Sequence, residues 1–359
     1  MGTYILYIGT ILLCLILTKV AKRRESSSPL IAVVIILSII AGFRGPNVGI
    51  DTANYIEKFE LIKNEHFLLA YGLEEGFKYL VFFLLKLFNN YNVIFLIFAL
   101  ITNILIMKRL WDFKDEIDIT YAFCIYYVSF FFMTMNVMRQ FCAIAIIFYY
   151  SRLIEKNKYI LFSIIVCVTA IFIHQSAAIG FLYIVLEIIQ WKYLTKKSKR
   201  LLIIGSVSIP AIYFFIAEKI LKYQHYFSNA EVKMGYMLPL KLCAALFFLL
   251  LINNFKIKIY KRKLLSMEKI KERYKEISVN NYYILGLIIS MFGYFYPFMD
   301  RIGWYFYIYE CVFYGKLVKN RKYGNLIKII VMIFSMYIFV TNLASKAQGV
   351  IPYNFFWNM

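Results

Sequence analysis

Four short stretches hold the side chains of this chain that could do chemistry. "GFRGPNVGIDTANY", residues 42–55, places Arg44 and Asp51 on either side of a turn built on Gly45, Pro46 and Gly49. "MNVMRQFCAIAI" sets Arg139 and Gln140 inside an otherwise largely apolar stretch from Tyr121 to Tyr150. "IFIHQSAAIGF" carries His174, Gln175 and Ser176 at the end of an apolar run. "YFYPFMDRIGWYFYIYE" holds the pair Asp300-Arg301 among Tyr294, Tyr296, Trp304, Tyr305 and Tyr307. A guanidinium grips phosphate oxygens bidentately, which an ammonium does not. An arginine in apolar surroundings requires an anion, here either a carboxylate such as Asp300 or a bound phosphate. Histidine takes a proton near neutral pH, and Gln175 or Ser176 could orient it or a substrate.

Each stretch also has a plain structural reading. Asp51 or Thr52 suits the N-cap of a helix whose apolar positions Tyr55, Phe59 and Ile62 recur at spacings of four and three. Arg44 would then be an interfacial anchor and His174 an interfacial histidine. The rings around Arg301 would be a membrane-interface belt rather than a platform for sugars. The segment "VIPYNFFW" reads as a second aromatic patch on the outer side, with no ionisable site of its own beyond Tyr353. No GxSxG, HExxH or Ser/His/Asp order accompanies His174, so hydrolysis has no support. There is no DxD and no Cys/His ligand spacing, so neither a metal nor a cofactor is expected.

These residues are positioned by membrane helices. The chain has 359 residues, 62% hydrophobic and 17% charged. Its runs 4–20, 119–135, 158–173, 201–217, 237–252, 282–297 and 326–343 are apolar almost all round. Runs of about 15–20 residues suit a hydrocarbon core of roughly 30 Å, so the chain reads as an all-α, polytopic integral membrane protein. Its net charge of +21 fits basic cytoplasmic loops and not a nucleic-acid partner. The six cysteines lie in or beside apolar runs, as small packing residues. "KVAKRRE" follows the first run, as in a retained first span with its N-terminus outside, not a cleaved signal.

Lysine and arginine then set the sidedness. Residues 19–24, 108–118, 155–158, 192–200, 256–277 and 319–322 fall inside. Residues 44–75 and the Asn89-Asn90 turn both fall outside, so 76–88, with Lys78 and Lys86, is a re-entrant or interfacial helix. This arrangement predicts about twelve spans with both termini outside. It also predicts an outer loop over 44–90 and a cytoplasmic amphipathic segment over 254–280 that lies on anionic membrane lipid. Arg44, Asp51, Arg139, His174, Asp300 and Arg301 all land at the outer side, where a partly cationic cavity open to the outside is expected.

The series "FRGPNVGIDTANY", "NVMRQFCAIAI", "HQSA", "DRIGWYF" and "PYNFFW", in this order from near residue 42 onward, resembles the EpsG family, related to Wzy-type polymerases of exopolysaccharide and capsule synthesis. The resemblance implies one membrane-embedded polymerase domain over 1–359, of GT-C-like architecture, that works without a metal. It implies a substrate of oligosaccharide repeat units on undecaprenyl pyrophosphate, joined on the outer face of the bacterial cytoplasmic membrane. Other polysaccharide-synthesis proteins, a flippase or a chain-length regulator, would be its partners. On that basis Arg44, Arg139 and Arg301 hold the pyrophosphate, with Tyr55, Gln140 and Gln175 in the substrate-binding set. Asp51 or Asp300 orients the sugar or an arginine, and His174 is the general base or a hydrogen-bond donor. A flippase of the same lipid-linked sugar would instead spread charges through the depth of the bundle and show internal repeats. A membrane O-acyltransferase would need an inward acyl-donor site. A ligase would be chemically close to the polymerase.

Overall fold

The computed structural model describes residues 2–188, 241, 245, 267–294, 297–319 and 324–358. Among these the regular structure is helical, and the one β-bridge joins Arg44 to Phe355. In chain order come α1 (Gly2–Arg24), α2 (Ser28–Gly42), α3 (Thr52–Lys63), α4 (Glu75–Phe88) and α5 (Tyr91–Asp112). Next is a span made of α6 (Ile119–Tyr126), a π-turn (Tyr127–Phe131) and α7 (Phe132–Asn136). Then follow α8 (Met138–Tyr150), the single turn α9 (Arg152–Glu155), α10 (Tyr159–Phe172) and α11 (Phe181–Ile188). The last are α12 (Met267–Met291), α13 (Pro297–Tyr307), α14 (Glu310–Lys319) and α15 (Gly324–Ala344).

Four helices, Gly2–Arg24, Tyr91–Asp112, Ile119–Asn136 and Asn325–Ala344, are long and apolar enough to cross a bilayer, and shorter apolar helices accompany them. Large apolar side chains such as Ile5, Leu12 and Ile16 on α1, and Ile329, Ile333 and Met336 on α15, point away from the protein, as lipid-facing residues do. The expected span 201–217, with loop 192–200, lies outside the described residues, as does 237–252 apart from Lys241 and Ala245. α4 has 14 residues, about 21 Å long at 1.5 Å per residue, which falls short of a hydrocarbon core. Its turn into α5 uses Asn89 at φ 48°, and Asn90 Oδ1 accepts the Asn92 N–H at 2.8 Å.

α12 runs unbroken from Met267 to Met291, so the charged residues 267–277 and the apolar turns after them form one helix. Residues 254–266 lie outside the described residues. The expected run 282–297 ends early, because Pro297 opens a new helix, a position where its missing N–H costs nothing.

The chain divides into two compact units, residues 1–178 with 314–359, and residues 179–313. In the first, α2 and α5 approach so closely that a Cβ on Gly42 would lie 2.6 Å from Leu96 Cα. Buried Asn103 of α5 donates to Ser38 of α2 at 3.2 Å and accepts from the Tyr126 hydroxyl at 2.9 Å. The unit has two polar ends. At one, Lys22 meets Asp118 at 2.6 Å, Arg109 pairs with Glu155, and Lys316 meets Glu116 at 3.4 Å. At the other, the Tyr7 hydroxyl donates to Val350 O at 3.0 Å. Tyr7 and Lys22 share α1, which puts these ends about 22 Å apart. Segments that the charge pattern assigned to one side therefore do gather at one end.

In the second unit α12 and α13 pack through Gly286 and Gly303, where any Cβ would collide with Tyr307 backbone and Ser290. Buried Lys241 and Glu310 pair at 2.9 Å, and the Tyr283 hydroxyl donates to Glu310 at 3.4 Å. Trp304, Tyr305 and Tyr307 are buried, and Tyr183 stacks on Phe306 at 4.6 Å. These three rings are core residues of this unit, neither an interface belt nor an open sugar platform, because the small residues of α12 let α13 sink onto it.

Candidate functional site at the turn and the broken helix

The turn after α2 is held by backbone bonds to the distant segment 346–356. Gly45 N–H donates to Asn354 O at 2.8 Å, Gly49 N–H to Gly349 O at 2.9 Å and Ile50 N–H to Gln348 O at 3.2 Å. The Phe356 N–H donates to Phe43 O at 3.1 Å, and the Tyr353 hydroxyl to Ile40 O at 2.9 Å. Gly49 sits at φ +89°, and a Cβ there would lie 2.6 Å from Met135 O. "PYNFFW" thus straps the Gly-Pro turn.

The turn buries Arg44. Its side chain is 1% exposed, which rules out an interfacial anchor. Nε donates to Thr52 Oγ1 at 3.1 Å, Nη1 to Ala41 O, and the Phe95 ring centroid lies 4.3 Å from Cζ. Nη2 has no acceptor, and among the described residues no carboxylate pairs with this guanidinium. Burial pulls its pKa down to about 10, while the phenols of Tyr55, Tyr353 and Tyr7 push back, so it stays charged at neutral pH. Asp51 stands at the N-cap position of α3, as the spacing predicts, but without the capping bond. Thr52 Oγ1 turns back to Val48 O at 2.6 Å because Arg44 claims it as an acceptor.

Asn136 connects this turn to the next stretch. Its Oδ1 accepts the Asp51 N–H at 2.9 Å, and its Nδ2 donates to Gln348 Oε1 at 2.7 Å. The helix breaks directly after it, at Val137 with φ −88° and ψ 52°. α8 begins at Met138, so Arg139 and Gln140 stand in the first turn of a new helix. The break carries neither Pro nor Gly.

Arg139 is 7% exposed and pairs with Glu74, the residue before α4. Its internal partner is thus Glu74 and not Asp300. Nη2 also reaches Gly72 O at 3.4 Å, Phe77 and Tyr55 lie 4.9 and 5.8 Å from Cζ, and Nε donates to no acceptor. Beneath the pair, Tyr55, Phe59, Phe77, Phe95, Met138 and Cys142 form one apolar cluster that fixes α3, α4, α5 and α8 together.

The other Glu74 oxygen, Oε1, accepts the Gln175 N–H at 3.0 Å. This N–H belongs to the short 3-10 turn Gln175–Gly180 that follows α10. His174 Nδ1 meets Ser176 Oγ at 2.7 Å, so Ser176 orients the ring, as one of the sequence readings held. Burial pushes the Glu74 carboxyl up, but Arg139, His174 and the Gln175 N–H outweigh it and hold the group below the usual carboxylate range.

Seven residues chosen from the sequence therefore fall in the first unit: Arg44, Asp51, Tyr55, Arg139, Gln140, His174 and Gln175. One carboxylate ties Arg139 to the His174 segment. Asp300 and Arg301 belong to the second unit, in the first turns of α13, where Ser290 Oγ approaches Asp300 O at 3.5 Å. Glu74, Asn136 and Gln348 were not anticipated. The available signal was the doublet Glu74-Glu75, placed on the side where Arg139 needed an anion.

Apolar spans, a broken helix with a buried arginine at its restart, and a strapped loop define a polytopic helical membrane protein. The chain belongs to the EpsG family, whose model matches residues 28–355. That membership points to a polymerase-like role in polysaccharide biosynthesis. No curated protein and no solved structure matches the chain.

Proposed function

We propose that the protein is a polysaccharide polymerase that joins undecaprenyl-pyrophosphate-linked oligosaccharide repeat units on the outer face of the bacterial cytoplasmic membrane. In this reading the bundle has about twelve spans in a GT-C-like arrangement, and the strapped end of the first unit faces outward. The observation that carries it is the convergence of Arg139, Glu74, His174 and Gln175 beside the turn that buries Arg44, in an EpsG-family chain.

The reaction moves the growing chain from its pyrophosphate lipid to a hydroxyl of the incoming unit. The glycosidic C–O bond to the pyrophosphate breaks, a new C–O bond forms, and the hydroxyl proton leaves. Arg139 stabilises the charge that grows on the departing pyrophosphate, without the proton inventory a neutral donor would need. Arg44 joins it in binding, and Tyr55, Gln140 and Gln175 contact the substrate. Asp51 orients the sugar. His174, held by Ser176, takes the proton or donates a hydrogen bond to the acceptor. The donor chemistry needs no metal in this scheme.

The test compares strains that carry wild type, Arg139→Ala or His174→Ala at equal membrane levels. The readouts are surface-polysaccharide length and the leaflet where lipid-linked units accumulate. Loss of long polymer with single units on the outer leaflet supports the polymerase. Units stranded on the inner leaflet would instead make the protein a flippase.

A further inference from the structure

Glu74 occupies an unusual position for a carboxylate. Oε2 pairs with a guanidinium that is 7% exposed, and Oε1 accepts one backbone N–H of a different segment. It stands at the N-cap of α4 with φ −65° and ψ 142°, yet makes no side-chain cap to that helix. The free amides and positive dipole end of α4 are therefore a second place where this carboxylate can rest. Arg139, for its part, has spare capacity: Nε is buried without an acceptor, and its bond to Gly72 O is long at 3.4 Å. A carboxylate bound end-on through one nitrogen uses little of a guanidinium fork.

We propose that Glu74 is an exchangeable counter-ion: it neutralises Arg139 while the site is empty and yields the guanidinium to a diphosphate group, moving toward the amides at the start of α4. The choice of diphosphate rests on the polymerase reading; the exchange itself rests on the geometry. The empty protein thereby avoids an unpaired buried cation. A diphosphate brings more charge and more acceptor oxygens than one carboxylate, enough to satisfy Nε as well. Departure of Glu74 also removes one bond to the segment carrying His174, that of the Gln175 N–H to Oε1, so the ion pair links an anion site to the segment of the candidate base.

The test uses the full-length protein in lipid nanodiscs, with inorganic pyrophosphate titrated by calorimetry. Wild type, Glu74→Asp, Glu74→Gln and the isosteric neutral pair Glu74→Gln/Arg139→Gln are compared after a thermal melt shows that each is folded. Exchange predicts affinity about tenfold or more tighter in Glu74→Gln, since no internal anion competes. It predicts an intermediate value in Glu74→Asp, whose carboxylate is one methylene shorter, and loss of binding in the double variant. If Glu74→Gln does not fold, Glu74→Asp decides, and affinity equal to wild type overturns the proposal. Binding in a folded Glu74→Gln that is no tighter than in wild type overturns it, as does a double variant that binds as well as Glu74→Gln. Farnesyl diphosphate in the same titration separates a lipid-borne diphosphate, expected to bind more tightly, from the free anion. Tighter binding in Glu74→Gln together with lipid-linked units stranded on the inner leaflet of Arg139→Ala cells would keep the exchange and remove the polymerase. The reverse pair of results would keep the polymerase alone.

Discussion

Asn136 donates to Gln348 across 2.7 Å although 212 residues separate them, and the same side chain accepts the Asp51 N–H. One amide thus joins the end of a span, the turn that buries Arg44 and the strap over it. Replacement by Ala removes two part-buried hydrogen bonds, each worth about 0.5–1.5 kcal/mol. Asn136→Ala should lower the melting temperature in detergent and open 346–356 to protease, with the spans still inserted.

Glycines separate sharply by position. A Cβ at Gly49 meets Met135 O at 2.6 Å and must tolerate φ +89°, whereas one at Gly9, on α1, has nothing within 4 Å. Gly49→Ala should cost at least about 1–3 kcal/mol from backbone conformation alone, and reduce folded protein. Gly9→Ala should be neutral or slightly stabilising, since Ala is the better helix former. Denaturant melts of the two variants check this.

Glu74 gives a signed pH dependence. Its folded pKa lies below the unfolded carboxylate value of about 4.3, so the unfolded chain binds the extra proton on acidification. Its stabilisation is complete above about pH 5 and fades as pH falls through the folded pKa. The stability gap between wild type and Glu74→Gln should shrink as pH falls below about 5. A gap that widens below about pH 5 would contradict the pairing with Arg139.

His174 and Ser176 are coupled through the 2.7 Å contact at Nδ1. As general base, His174 should contribute about 10²–10⁴-fold to the rate of polymer extension, lost in His174→Ala. Ser176→Ala should lower the same rate by less and shift its pH profile, because the ring loses its orienting partner. Radiolabelled polymer made by membrane vesicles across a pH series provides the measurement.

Arginine 44 should not be replaceable by lysine. The guanidinium spans Thr52 Oγ1, Ala41 O and the face of Phe95, a planar arrangement that an ammonium does not reproduce. Arg44→Lys should destabilise the turn by about 1–3 kcal/mol, read as reduced thermal stability.

Much of this architecture was legible in the residues. Apolar runs marked the long spans, Lys78 and Lys86 marked α4 as too polar and too short to cross, and Asn89-Asn90 marked its turn. The arginines and the histidine were found because charge in apolar sequence needs a reason. Their partners were not, since a contact such as Glu74 with Arg139, 65 residues apart, leaves no periodicity to read. The break at Val137 was hidden for a similar reason: without Pro or Gly, only the tertiary bonds of Asn136 reveal it. The rings near Asp300 misled because a belt, a sugar platform and a core share one composition.

The strap has a further consequence for how the protein is made. Ile40 leaves the ribosome 313 residues before Tyr353, the residue whose hydroxyl it holds. At translation speeds of about 5–20 residues per second, that interval is roughly 15–60 s. Throughout it the Gly-Pro turn and Arg44 lack their clamp, while the spans between are being inserted one after another. The site therefore comes together last, and a chain cut short before the strap would sit in the membrane with its helices in place and this turn unclamped.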